Sequence, residues 1–107
     1  MRWYDPLRRR AEIAFVRRRG RVASTPTVTA YLAESAGPRS RFGVTVSARV
    51  GKAVVRNLVR RRIRGALDRL PVPATPLRVL FVAKPAAAAA AYARLAADVA
   101  RALGAKP

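Results

Sequence analysis

The sequence predicts an α+β domain: a single sheet of about four strands with three helices, in the chain order α-β-β-β-α-β-α. Three observations predict it. Thr27–Ala33 and Arg41–Ala48 alternate apolar with small or polar residues, the period of two that puts one set on each face of a sheet. Leu77–Ala83, LRVLFVA, is apolar almost throughout, the pattern of a strand covered on both faces. Around these lie longer stretches with helical spacing and helical stop signals. With 107 residues, 51% of them hydrophobic, the chain has material for one domain, residues 1–107, with a modest core.

The first helix is expected from Leu7 to Arg18. Asp5-Pro6 supplies a capping carboxylate and a proline suited to a first turn, and Gly20 is a favoured residue just past a helix end. A short strand near Arg21–Ser24 joins the same sheet. In Thr27–Ala33, Val28, Ala30 and Leu32 make a core face, and Thr29, Tyr31 and Ala33 point the other way. Ser35–Ser40, SAGPRS, is a turn. Phe42, Val44 and Val46 then oppose Gly43, Thr45 and Ser47. The second sheet face is therefore small and polar and carries one aromatic ring, Tyr31.

The segment from Ser47 onward reads as a helix. At 100° per residue, Val55, Val59, Ile63, Ala66 and Leu70 fall on one packing stripe. Arg49, Arg56, Arg60 and Arg64 gather on the flank beside it, with Asn57 and Arg61 extending that arc. Pro71, Pro73 and Pro76 end the helix. After the buried strand Leu77–Ala83, an Ala-rich helix is expected from Ala86 to Leu103, with Tyr92, Leu95, Val99 and Leu103 on one side and Gly104 as its stop.

Charge narrows the function. Lys and Arg number 23 against 5 Asp and Glu, a formal net charge of +18. Seven of the cations lie between Ser47 and Leu67 with no carboxylate among them. Like charges that close repel one another, so a polyanion outside the chain must compensate them, and nucleic acid is the commonest soluble one. Arg56, Arg60 and Arg64 stand one turn apart, about 6 Å, near the spacing of successive phosphates. Asn57 beside them suits a base edge or a 2′-hydroxyl. Lys52 sits at the helix start, where backbone amides are free to meet a phosphate, although the full GxxxxGK[ST] spacing is missing. Tyr31, among Thr29, Thr45 and Gly43, is either a base-stacking ring or an ordinary half-buried strand tyrosine.

The chain has no His and no Cys, and its five acids are scattered. Thiolate chemistry is thereby excluded, acid–base catalysis and a protein-held metal have few candidates, and no cofactor is expected on the protein itself. MRWYDPLRRR lacks the apolar core of a signal peptide, and the longest apolar run, near Ala86–Ala93, is far short of a bilayer span. A cytoplasmic protein with no membrane partner is expected. A membrane-active cationic helix is a poorer reading, because the fold uses the apolar stripe that it would need.

The residues also carry a resemblance. FGVTVSARVGKAVVRNLVRRRIRGAL, Phe42–Leu67, resembles the signature of the bacterial ribonuclease P protein subunit family: a strand, Ser-Lys-Lys, Val-Gly-Asn-Ala-Val-Val, Arg-Asn-Arg, then a basic helix. LRRRAEIAFVRRRGRVAS, Leu7–Ser24, is similar to that family's first helix and following loop, and LRVLFVAKPAA to its last strand. The likeness is best over residues 7–103. It implies a left-handed β-α-β crossover around the basic helix, where the default would be right-handed. It implies a protein with no active site of its own that docks on a catalytic RNA and holds the single-stranded 5′ leader of precursor tRNA in a cleft. Mg²⁺ would act through the RNA, which cuts the precursor to make the mature 5′ end.

Carried over by position, the resemblance implies that Arg49, Arg56, Asn57, Arg60, Arg61 and Arg64 contact the catalytic RNA, with Lys52 joining them from its place at the helix start, and that Ile13, Arg17 and Tyr31 line the leader cleft. The chain departs from the signature at Leu58, which replaces its second Arg, at Ala48 and at Lys52; Arg62 is expected to add charge from the other side of the helix. Ile13 and Arg17 stand where the family often has Phe. Composition alone leaves a second class open: another structural RNA-binding protein, such as a small ribosomal one.

Overall fold

The computed structural model describes residues 3–104. The chain runs β1 (Tyr4–Pro6), α1 (Arg10–Arg19), β2 (Arg21–Ser24), β3 (Val28–Glu34), β4 (Ser40–Thr45), a 3-10 turn (Ala48–Val50), α2 (Ala53–Asp68), β5 (Leu77–Ala83), a second 3-10 turn (Pro85–Ala88) and α3 (Tyr92–Ala102). One mixed sheet has the order β1-β4-β5-β3-β2. β4 and β5 are parallel neighbours joined through α2, and β3 runs antiparallel to both β5 and β2.

The strand patterns translate directly into layers. Val28, Ala30 and Leu32 of β3 and Val79, Phe81 and Ala83 of β5 are buried in one cluster with Val59, Ile63 and Leu67 of α2 and Leu95, Val99 and Ala102 of α3. The alternate residues of β5 look the other way. Leu80 is buried with Leu7 and with Val16 of α1, and Ile13, Tyr31, Ala33 and Val82 pack on that smaller cluster. The continuous apolarity of β5 thus has its cause: it is the middle strand, with helices above and below.

The sheet has five strands rather than about four. Asp5-Pro6 does not begin the first helix. Tyr4–Pro6 pairs in parallel with Ser40–Phe42, and the Leu7 amide continues the ladder to the Phe42 carbonyl at 2.9 Å. Proline is tolerated there because β1 is an edge strand. Asp5 binds Arg39 at 3.0 Å instead of capping, and α1 starts at Arg10 with no side-chain cap on Arg9.

Gly20 does stop α1, but not by adopting a left-handed conformation: its φ is −72°. A Cβ here would stand 2.4 Å from the Val16 carbonyl oxygen and 2.8 Å from that of Leu32, so glycine is needed for close approach to β3. The Ala-rich tail is helical only from Tyr92. Pro85–Ala88 form a 3-10 turn, and the chain bends before α3. Gly104, with φ 81°, ends α3 as expected.

Two polar anchors complete the packing. Asp98 of α3 is fully buried and accepts hydrogen bonds from the Thr27 hydroxyl (2.6 Å) and amide (3.2 Å), tying α3 to the start of β3. Trp3, Tyr4 and Phe42 meet edge to face, with ring centroids 5.1–5.4 Å apart. The Trp3 indole N–H donates to the Leu67 carbonyl (3.2 Å) and the Tyr4 hydroxyl to Asp68 (3.0 Å), so β1 caps the C-terminal end of α2.

Candidate nucleic-acid interface

α2 is oriented by its apolar stripe. Val59, Ile63, Ala66 and Leu67 are buried, and Val55 and Leu70 pack on the same core. That fixes the opposite arc toward solvent. Asn57, Arg61 and Arg64 are exposed, while Arg56 and Arg60 lie half-buried on the flank. Arg60 donates from Nη1 to the Asn57 Oδ1 at 3.0 Å, which holds the two as a unit. The buried Nε of Arg56 has no acceptor among the described residues. Val54, Asn57, Arg60, Arg61 and Arg64 line one shallow concavity. The sequence-predicted arc therefore exists, from Arg56 round to Arg61.

Arg49 does not share the helix of the arc. It lies in the 3-10 turn, outside the helical phase of α2, and is exposed with Lys52 at the helix entrance. Gly51, at φ 153°, makes the bend between them. A side chain there would be strained, and its Cβ would crowd Val55 at 3.1 Å. Arg62 does not join the arc. It points toward α3, where Nη1 donates to the Ala90 carbonyl at 3.3 Å.

The electrostatics follow from where the acids are. Among the described residues, the ion pairs join Asp5 to Arg39, Glu12 to Arg41 and Arg78, and Asp98 to Arg94. None takes an arginine of α2. The helix also has no acid in its first turn and no base in its last, and Asp68 is its final residue. Lys52 and Arg56 stand at the end where the helix dipole disfavours cations. The fold gains nothing from that placement, which suits an external anion.

The other sheet face carries the second set. Ile13, Tyr31 and Val82 pack on the Leu7–Val16–Leu80 cluster, and the Arg17 guanidinium lies 5.6 Å above the Tyr31 ring. Ile13, Arg17 and Tyr31 are thus brought together where α1 meets the sheet. Beyond them the register aligns Thr29, Val82 and Thr45 across β3, β5 and β4 as a floor. Thr45 ends β4, directly before the turn that carries Arg49 and leads into α2. Tyr31 is neither a bare platform nor plain core: it is half-buried, with a cation over its face. On the other side of α1, Glu12 bonds Arg41 at 3.1 Å and Arg78 stacks on Phe15 at 4.7 Å. Sequence reasoning missed this network; its only visible sign was one acid set among arginine runs.

Fold and surface together define a small cationic α+β module, with an arginine-lined helix on one side of the sheet and the Arg17–Tyr31 pair beside α1 on the other. A family model described as Ribonuclease P matches residues 1–106. The chain belongs to the ribonuclease P protein family. The ribonuclease P protein component of Acidothermus cellulolyticus is 43% identical over 101 residues, covering 92% of this chain and 84% of that protein. That of Thermus aquaticus is 52% identical over 66 residues, 62% of this chain, and the match spans only 40% of the Thermus protein's length. Among solved structures, the Staphylococcus aureus RNase P protein superposes with a TM-score of 0.84 at 18% identity, covering 92% of each chain. The Thermotoga maritima protein gives 0.77 at 16% identity, covering 91% and 93%. At such identities the likeness is one of fold.

Proposed function

We propose that this chain is the protein subunit of a ribonuclease P ribonucleoprotein in the cytoplasm. It docks on the catalytic RNA through Arg49, Lys52, Arg56, Asn57, Arg60, Arg61 and Arg64. It receives the 5′ leader of precursor tRNA between α1 and the sheet, against Ile13, Arg17 and Tyr31. The observation that carries the reading is an arc of arginines on α2 with no carboxylate paired to it among the described residues. Family membership directs the choice of polyanion.

The mechanism on this reading is electrostatic. Guanidinium groups fixed by a packed helix replace counterions along the RNA backbone and release them, so association tightens most at low salt. The leader extends the contact along the sheet floor, where the Arg17–Tyr31 pair offers a flat cationic face to an unpaired base. The RNA performs the cleavage with Mg²⁺, and the protein carries no active site of its own.

The test is processing. Added to a ribonuclease P RNA, the chain lowers the Mg²⁺ and salt needed to cleave precursor tRNA at the mature 5′ end. Absence of stimulation at near-physiological salt defeats the proposal. For the cleft, Tyr31→Ala weakens binding of precursor tRNA and leaves mature tRNA binding unchanged; equal loss for both removes Tyr31 from the leader site.

A further inference from the structure

Part of the outer surface of α2 is not cationic. Val54 is 79% exposed, the most exposed large hydrophobic side chain among the described residues, and Leu58 one turn on is 36% exposed. Residues four apart share a helix face, so the two form a short apolar stripe. Along one border runs the concavity of Asn57, Arg60, Arg61 and Arg64, whose lining Val54 completes. At the other border Arg62 is drawn off to the Ala90 carbonyl. The stripe therefore has arginines on one side only, and at its Val54 end it stands clear of the described fold.

Its occupant follows from charge and shape. A lipid surface needs a longer and wider apolar face than two side chains. A second copy of this chain would bring the same unpaired arginines against the first. What combines negative charge with apolar faces at this scale is a nucleotide. In an A-form helix the base faces are hidden in the stack, and a protein meets phosphates, 2′-hydroxyls and polar base edges but no apolar face. An unpaired nucleotide exposes its base face and ribose within one backbone step of its phosphates.

We infer that Val54 and Leu58 seat an unpaired nucleotide of the RNA bound by α2, with its flanking phosphates held by Arg60, Arg61 and Arg64. The inference rests on the docking reading above and adds a contact of different chemistry to it. α2 thus recognises a local unstacked structure rather than uniform duplex. Leu58, which stands where the family signature has arginine, exchanges a phosphate contact for an apolar one.

The test uses the full chain and a ribonuclease P RNA, with the dissociation constant measured across salt concentrations and 2′-hydroxyl acylation as footprint. The double variant Val54→Ser/Leu58→Ser stays folded and melts slightly below the parent, because Val54 is solvent-facing and Leu58 is only partly covered. It binds roughly five-fold more weakly at every salt concentration, with the parent's salt slope, because it removes apolar contact and no charge. It also restores acylation of one or two unpaired nucleotides that the parent immobilises. Parental affinity and footprint in the double variant overturn the inference, as does an affinity loss accompanied by a reduced salt slope. Arg60→Ala serves as the reference and lowers the slope by about one. If neither the parent nor any variant binds this RNA, the docking reading itself has failed, and the inference falls with it.

Discussion

α1 and α2 lie on opposite faces of one sheet, and both are rich in arginine, yet their charges are used differently. On the α1 side one acid of the helix ties it to the sheet, while Arg10, Arg17, Arg18 and Arg19 of the helix itself pair with no acid among the described residues. Glu12 bridges Arg41 and Arg78, Arg78 stacks on Phe15, and Arg17 lies over Tyr31. Arg17, Arg18 and Arg19 also fill the last turn, where the helix dipole favours cations. On the α2 side the apolar stripe holds the helix, and the arginine arc pairs with no acid among the described residues. The contrast lies in how each helix is seated: α1 partly through Glu12, α2 through apolar contacts, which leaves its whole arc of arginines to a ligand.

Breaking each helix at its own attachment sharpens that contrast. The largest effect is expected at the apolar seat of α2. Ile63→Ala removes a fully buried side chain and costs about 2–5 kcal/mol in chemical unfolding. Next comes the seat of α1. Gly20→Ala forces a methyl against two carbonyl oxygens and costs about 1–3 kcal/mol. Glu12→Gln, which leaves Arg41 and Arg78 without their carboxylate, costs about 1 kcal/mol, and high salt narrows the difference from the parent. The smallest effect on folding is expected at Arg60→Ala, within about 0.5 kcal/mol of the parent. The same variant loses about 1 kcal/mol of RNA affinity and about one unit of salt slope. If Arg60→Ala unfolds the protein as readily as Glu12→Gln, the two helices are not used differently, and the comparison fails.

Local periodicity carried most of the fold. β5 spans Leu77–Ala83 as its apolarity predicts, and the α2 stripe and arc follow from 100° steps. Signals that depend on distant partners were hidden. Asp5-Pro6 reads as a helix start because nothing nearby reveals pairing with Ser40–Phe42. Trp3 gains its place only from Leu67, 64 residues away. The alanines before Tyr92 have helical propensity throughout, but propensity is a weak prior, and Pro85 begins a 3-10 turn that ends before α3. At the site, the wheel located Arg56, Asn57, Arg60, Arg61 and Arg64. It also set Arg49 on that helical flank, although Arg49 lies in the turn before the helix, and it did not show that Arg62 turns toward the loop before α3.

The place of β5 between β4 and β3 has a consequence for synthesis. Every residue before Leu77 leaves the ribosome first, so β1–β4 and β2–β3 emerge as two strand pairs with no shared neighbour. The strand that joins them is made after the other four, and the sheet closes around it in one long-range step. Until then a nascent chain this cationic is shielded only by salt or by RNA already within reach.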